Sequence, residues 1–237
     1  MKAGRAKNSA RRPYRYSFGS PAPIFALPLL LFAICYLLFA IRSVHPFSAA
    51  LLAGGRSQRM GRDKRLLVVD WQGEPVPLWK RQLNVLRELG SVELLVSGLP
   101  DLEYPADVRV VPDTIENGGP LAGILSCLEV AQANRLLVLA VDLPNMSSEY
   151  LRSLVQVGAP GCGVVPAIEQ ELEPVVAVYP VEAATVANTC LQQGERSVQA
   201  FARRLEQNGL VNIRKVAPGE VVLFKNWNSP EDRALRE

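Results

Sequence analysis

The sequence has little of the two residue types that build most zinc and disulfide sites. Its one histidine, His45, lies outside every motif described below, which argues against a zinc site or a Ser-His-Asp triad. Its four cysteines are far apart and form no Cys-x-x-Cys pair. That spacing argues against a metal cluster, a redox dithiol and a disulfide framework, and it favours a reducing compartment.

Acidic residues are absent from residues 1–42, which carry seven of the 26 lysines and arginines. The rest of the chain holds all 23 acidic residues against 19 basic ones, so the net charge of +3 comes from the N-terminal segment alone. The remaining domain lacks the basic excess that is typical of nucleic-acid-binding proteins. We therefore expect no nucleic-acid partner.

Charged residues are also missing from residues 23–41, a run that follows six basic side chains. Roughly 20 apolar residues span a bilayer, and the preceding charges would keep the N-terminus in the cytoplasm. Residues 1–46 have three interpretations: a start codon set too far upstream, with Val44 as a GTG initiator, a membrane anchor, or a signal peptide. We expect a separate domain over residues 47–237.

From residue 47 onward, short apolar runs alternate with amphipathic stretches, which indicates βαβ units. Residues 135–141 are a near-continuous aliphatic run, as expected for a strand buried on both faces. The pattern predicts one α/β domain with a Rossmann-like, mostly parallel sheet and helices on both faces. The other predicted strands are 48–53, 92–97, 108–111, 163–167, 173–179, 211–216 and 221–224. The predicted helices are 77–89, 121–133, 148–155, 181–192 and 197–207, and a further one begins near 229.

Two adjacent glycines, Gly54 and Gly55, leave the first predicted strand. Without Cβ atoms, their N–H groups can turn inward and form an anion site at the carboxyl end of the sheet. The basic residues that follow would supply positive charge for a triphosphate, although a surface turn with solvated arginines is the alternative. The full string is Leu52-Ala53-Gly54-Gly55-Arg56-Ser57-Gln58-Arg59-Met60-Gly61-Arg62-Asp63-Lys64.

This string resembles the nucleotide-binding signature of molybdenum cofactor guanylyltransferases, the MobA family of nucleotidyltransferases. The resemblance runs from about Ser48 to the C-terminus and implies the nucleotide-diphospho-sugar-transferase-like form of the predicted fold. Further segments similar to that family are Val111-Pro112-Asp113 with Gly118-Gly119-Pro120-Leu121-Ala122-Gly123-Ile124, Val141-Asp142-Leu143-Pro144, Glu173-Pro174 with Gly194-Glu195-Arg196-Ser197, and Asn226-Trp227-Asn228-Ser229-Pro230.

Asp142 is the metal ligand that the resemblance implies. A carboxylate at the carboxyl end of a central strand can hold Mg²⁺ against phosphates, although a turn acid before Pro144 is the alternative. Lys64, Arg59 and Asp142 are implied as the catalytic residues. The implied nucleotide-binding residues are Leu52, Ala53, Gly54, Gly55, Lys64, Ser97, Asp113 and Asp142. Ser97 stands where some members of the family have an asparagine.

Asn226 and Asn228 are two residues apart and would share a face of an extended segment. The resemblance places both of them on the acceptor side, with Arg196 reaching the acceptor phosphate. Turn chemistry before a helix, and a surface arginine at a helix start, are the alternatives.

The activity implied is the transfer of GMP from GTP to the terminal phosphate of molybdenum-molybdopterin, with release of pyrophosphate. That phosphate is ionised at neutral pH, so the reaction needs no general base. The implied cofactor is Mg²⁺. The implied partners are GTP, molybdopterin, a molybdopterin-delivering protein and molybdoenzyme chaperones.

We expect the protein in the cytoplasm, and at a membrane only if residues 23–41 are an anchor. Three alternatives stay open: a cytidylyl- or sugar-phosphate nucleotidyltransferase, a non-catalytic nucleotide-binding module, and a membrane-anchored structural protein.

Overall fold

The computed structural model describes residues 45–54, 63–98, 102–159 and 161–226. All of them lie in one unit of the chain, Ser43–Glu237. Within these ranges, every helix is too short or too polar to cross a bilayer. Residues 1–44 lie outside the described residues, so the interpretation of that segment stays a prediction.

Strands and helices alternate through the described part of the chain. The strands are β1 (Ser48–Leu52), β2 (Val68–Trp71), β3 (Glu74–Pro77), β4 (Leu94–Ser97), β5 (Val108–Val111), β6 (Arg135–Ala140), β7 (Gly163–Ile168), β8 (Glu171–Leu172), β9 (Val176–Pro180) and β10 (Val211–Lys215). The helices are α1 (Leu78–Arg87), α2 (Gly119–Val130), α3 (Ser148–Val157), α4 (Ala183–Gln192) and α5 (Val198–Gln207). Lys64–Leu66 and Pro218–Phe224 form 3-10 helices.

One mixed sheet organises this unit. Among the described residues it has eight strands in the order β10-β7-β9-β6-β1-β4-β5, with β8 paired to β7. β1 pairs in parallel with β4 and with β6, β4 pairs in parallel with β5, and β10 pairs in parallel with β7. By contrast, β9 is antiparallel to β6 and to β7. β2 and β3 form a separate hairpin.

Helices cover both faces of the sheet because successive side chains of each strand point to opposite sides. In β1, Ala50 and Leu52 belong to the core that α2, α4 and α5 complete. Ala49 and Leu51 belong to the other core, against α1 and α3. The predicted fold class, a mostly parallel sheet with helices on both faces, is confirmed.

The carboxyl ends of the parallel strands lie level with one another. Leu52 of β1 is in register with Ser97 of β4 and with Ala140 of β6. The residues that follow these strands therefore emerge side by side at one edge, which we call the carboxyl edge. Because β9 is reversed, it is the residues before this strand that reach the same edge, where Ala140 N–H donates to Val175 O at 2.9 Å.

Two local expectations were wrong. Residues 221–224 form the end of a 3-10 helix rather than a strand, because Pro218 starts the turn and Glu220 Oε2 accepts from Ala217 N–H at 3.0 Å. The β2–β3 hairpin falls where no element was expected before the first helix. Its signal was Gln72-Gly73, whose positive φ angles of 57° and 88° match the two-residue turns that twisted hairpins prefer.

Candidate active site

Lys64 is presented by a short 3-10 helix that its neighbours fix in place. Asp63 caps this helix by accepting from Arg65 N–H at 3.0 Å, and it pairs with the Arg65 guanidinium at 2.6 Å. Lys64 Nζ lies 3.5 Å from Asp142 Oδ2, so two residues 78 positions apart in sequence meet at the carboxyl edge. The catalytic Arg59 and the nucleotide-binding Gly55 of the sequence prediction lie outside the described residues.

Asp142 stands in the turn that follows β6, beside the end of β1. Val141 N–H donates to Leu52 O at 3.2 Å, which keeps this turn next to the point where Gly54 leaves β1. The Asp142 side chain is 26% exposed and can bind a further cation. Within the described ranges no group of three or more His, Cys, Asp or Glu side chains could hold a metal. A single accessible carboxylate fits Mg²⁺, which is commonly held by one or two carboxylates and substrate phosphates.

Asp113 lies beyond β5 and is held by Ser97. Ser97 is buried, and its hydroxyl donates to Asp113 Oδ1 at 3.0 Å. Burial raises the pKa of the Asp113 carboxyl above its ordinary value, while the hydrogen bond from Ser97 acts in the opposite direction. The Ser97 hydroxyl thus supports Asp113, and a direct contact between Ser97 and a nucleotide stays a prediction.

Two glycines let the backbone approach Asp113 closely. A Cβ on Gly123 of α2 would lie 2.1 Å from Ser97 Oγ and 3.3 Å from Asp113 Oδ1. A Cβ on Gly54 would lie 3.3 Å from Asp113 Oδ2. The Asp113 carboxylate is therefore enclosed between the turn after β1 and the first half of α2. A glycine inside a helical pattern was the available signal for this packing role of Gly123.

The predicted acceptor residues lie on the later part of the chain. Arg196 is exposed just before α5, whose first turn is tied to β8 by Gln199 Nε2 donating to Leu172 O at 2.6 Å. Asn226 is exposed at the end of the described residues, and Asn228 lies outside them. The structure thus brings Lys64 to Asp142, and Gly54 to Asp113, and leaves Arg196 and Asn226 exposed.

Glu173 is a further titratable residue, and the sequence predicted no role for it. It precedes β9, and its N–H donates to Pro166 O at 2.8 Å. Burial, and then the negative charge of Glu171, raise the pKa of the Glu173 carboxyl to about 7.

The fold is shared by a class of solved proteins, the nucleotidyltransferases. Molybdopterin-guanine dinucleotide biosynthesis protein A from Archaeoglobus fulgidus superposes with a TM-score of 0.61, at 22% identity over 79% of this chain and 95% of that one. 2-C-methyl-D-erythritol 4-phosphate cytidylyltransferase from Thermus thermophilus superposes with a TM-score of 0.58, at 17% identity over 80% and 96%. These likenesses establish the shared fold.

The sequence comparisons identify the family within that class. Residues 49–208 match the model of the MobA-like NTP transferase domain. The molybdenum cofactor guanylyltransferase of Pseudomonas putida is 34% identical over 78% of this chain and 95% of its own length. That of Xanthomonas euvesicatoria pv. vesicatoria is also 34% identical, over 78% and 92%. The chain belongs to the family of MobA-like NTP transferases.

Proposed function

We propose that this protein transfers GMP from GTP to the terminal phosphate of molybdenum-molybdopterin, forming the guanine dinucleotide cofactor and pyrophosphate. The names of the curated relatives support the substrates. The observation that carries the proposal is the Lys64–Asp142 pair, 3.5 Å apart beside the end of β1, because a cation and a metal-binding carboxylate are what a triphosphate requires.

GTP would bind along the carboxyl edge between β1, β4 and β5. The backbone of Leu52, Ala53 and Gly54 would line the nucleotide, since Gly54 has no Cβ and can approach it closely. Asp113 would accept hydrogen bonds from the base or the ribose, held in place by Ser97. Lys64 would contact the phosphates, and Arg59 is proposed to assist it.

Mg²⁺ is the proposed cofactor, with Asp142 as its protein ligand. When bound, the ion would neutralise negative charge on the phosphate oxygens. Lys64 supplies positive charge at the same place, because its direct contact with Asp142 would put both side chains beside the same phosphates. The attacking phosphate is already ionised, so the chain needs only to orient the two substrates in line and to stabilise charge.

The acceptor would lie on the side of β9 and β10, away from the nucleotide half. Arg196, Asn226 and Asn228 are the proposed contacts, with the guanidinium for a phosphate and the amides for the pterin. A protein that delivers molybdopterin and chaperones of molybdoenzymes are the proposed partners, and the cytoplasm is the proposed location because GTP is available there.

The base preference is tested by comparing the four nucleoside triphosphates with the full chain and Mg²⁺. We expect GTP to raise the melting temperature most, because a ligand that binds only the folded state stabilises it by mass action. We also expect pyrophosphate release with GTP and molybdopterin together. A larger shift and faster release with CTP would replace the guanylyl proposal with a cytidylyl one.

The phosphate role of Lys64 is tested by Lys64→Met. Removal of one charged donor from the transferring group costs roughly 10²–10³ in kcat, so we expect a loss of that size with little change in melting temperature. Unchanged kcat would contradict the assignment.

A further inference from the structure

Gln82 is a fully buried polar side chain on the apolar face of α1. Its amide Nε2 donates to Ala140 O at 3.3 Å and to Leu143 O at 2.9 Å. These two carbonyls flank Asp142, one on each side along the chain. The turn that carries the proposed metal ligand is therefore anchored through its backbone, and the anchor makes no use of the Asp142 carboxylate.

Arg81 extends this anchor. Its Nη1 donates to Gln82 Oε1 at 2.6 Å and its Nη2 donates to Met146 O at 2.8 Å. Its guanidinium also lies over the ring of Trp71 at 5.4 Å. Burial lowers the pKa of Arg81 to about 10, so it remains charged at neutral pH.

The two side chains connect the elements that present the charged pair at the carboxyl edge. Trp71 belongs to the β2–β3 hairpin, which directly follows the 3-10 helix of Lys64. The carbonyl of residue 140 ends β6, and those of residues 143 and 146 belong to the turn of Asp142 that follows it. Helix α1 thus contacts the hairpin that follows Lys64 through a cation–π interaction. It contacts the end of β6 and the turn of Asp142 through three hydrogen bonds.

We propose that Arg81 and Gln82 are positioning residues, which fix the turn of Asp142 so that its carboxylate meets a divalent cation bound to the nucleotide phosphates. The metal role of Asp142 comes from the proposed function, and the inference rests on it. The physical reason is that a ligand held only by its own flexible turn would spend much of its time displaced. Side chains that orient a metal ligand without touching the metal commonly contribute 10–100-fold to metal affinity.

A purely structural role for the pair makes a different prediction. Loss of Gln82 would then lower stability as the loss of any buried polar partner does, and metal affinity measured on folded protein would not change. Two controls separate these cases. Ser48→Ala removes a buried hydroxyl that makes two hydrogen bonds at the opposite end of β1. Arg152→Met removes a guanidinium that donates to Glu88 O at 2.8 Å.

The experiment measures Mn²⁺ binding in the presence of GTP, by electron paramagnetic resonance, well below the melting temperature of each variant. We expect Gln82→Met and Arg81→Met to raise the Kd for Mn²⁺ by roughly 10–100-fold. Ser48→Ala and Arg152→Met should stay within about twofold of the wild type, whatever their effect on stability. Amide hydrogen exchange in residues 141–146 should become faster in the first two variants and not in the controls.

Either of two outcomes overturns the proposal: an unchanged Mn²⁺ affinity in the Arg81 and Gln82 variants, or an equal loss in the controls. Should Gln82→Met fail to fold, Arg81→Met decides alone, because Arg81 is partly exposed on the helix. If the wild type binds no Mn²⁺ in the presence of GTP, the metal role of Asp142 is refuted, and so is the inference that rests on it. A wild type that binds Mn²⁺ but transfers no GMP refutes the proposed function, and the comparison of variants still stands.

Discussion

The two ends of the sheet use the same kinds of charged side chain in opposite ways. At the amino end of the parallel strands, Glu93 Oε1 accepts from the hydroxyl of Ser48 and from Gln132 N–H, each at 2.6 Å. At the same end, buried Arg135 donates to the carbonyls of Val155, Gly158 and His45. At the carboxyl edge, the Asp142 carboxylate accepts a single, long hydrogen bond from the described side chains, from Lys64 Nζ at 3.5 Å.

The charged groups at the amino end are used in hydrogen bonds within the fold, whereas the Asp142 carboxylate at the carboxyl edge remains partly accessible to solvent. Glu93 Oε1 and both Nη atoms of Arg135 are hydrogen-bonded within the fold. The other polar atoms of these side chains, Glu93 Oε2 and Arg135 Nε, are buried with no partner among the described residues, so neither is open to a ligand from solvent. The contact between Lys64 and Asp142 is long and the Asp142 side chain is partly exposed, so this carboxylate retains capacity for a ligand. Among these residues, Asp142 at the carboxyl edge is the one whose charged group stays partly exposed to solvent.

The largest expected effect comes from making the same acid-to-amide change at both ends. Asp142→Asn removes the charge of the proposed metal ligand, so we expect guanylyl transfer to fall by roughly 10³-fold. Glu93→Gln keeps an acceptor for Ser48 and Gln132, and we expect its kcat to match the wild type. Both are compared by pyrophosphate release and by melting temperature. Equal losses of activity in the two variants would remove the functional distinction between the ends.

A smaller effect is expected from crowding the carboxyl edge. Gly123→Ala places a methyl group against Ser97 Oγ, and overpacking of this kind costs roughly 1–3 kcal/mol of stability. Because Ser97 holds Asp113, we also expect GTP to bind more weakly, measured by calorimetry. Gly123→Ala combined with Ser97→Ala should recover part of the lost melting temperature. If GTP affinity survives in Gly123→Ala, then Asp113 does not contact the nucleotide.

The smallest effect is a pH dependence at Glu173. Its pKa of about 7 in the folded protein exceeds the ordinary 4.5, so the folded state binds the proton more tightly than the unfolded chain does. The free energy of unfolding should therefore fall as the pH rises from about 4.5 through 7. Glu173→Gln should flatten this decline between about pH 5 and pH 8 in thermal melts. Glu171→Gln should flatten it less, because repulsion from Glu171 is the smaller cause, and an unaltered slope in both variants would contradict the shift.

Most of the sheet could be predicted from sequence because its strands are buried on both faces. Residues 135–141 were recognisable as a continuous aliphatic run, and β6 occupies Arg135–Ala140 with every residue buried. Residues 221–224 are equally apolar, yet Val222 is exposed and only Phe224 is buried in the core. Short apolar runs do not distinguish a strand from a helical turn, since burial is decided by the elements that pack on them.

The placement of candidate site residues at the carboxyl edge could be predicted where they directly follow strands. Asp142 could be singled out by its position after a buried strand, whereas Asp113 was singled out only by the resemblance. The structure places Lys64 beside Asp142. The supporting contacts were not foreseen, because they join residues far apart in sequence, as between Gln82 and Leu143 or between Gly123 and Ser97. The position of Gln82 was a signal in the sequence. It stands four residues after Leu78 and four before Leu86, on the face of the helix where only apolar residues are expected.

The reversal of β9 shortens the path by which the chain returns to the sheet. A parallel strand needs a crossover to return, but β8 and β9 each pair antiparallel with β7, so residues 169–175 reach β9 without an intervening helix. The short return is nevertheless part of the core, since Leu172 is buried and accepts from Gln199 of α5, and Gln170 O accepts from Arg203 of the same helix. A change of length in residues 169–175 would therefore disturb α5 as well as the sheet.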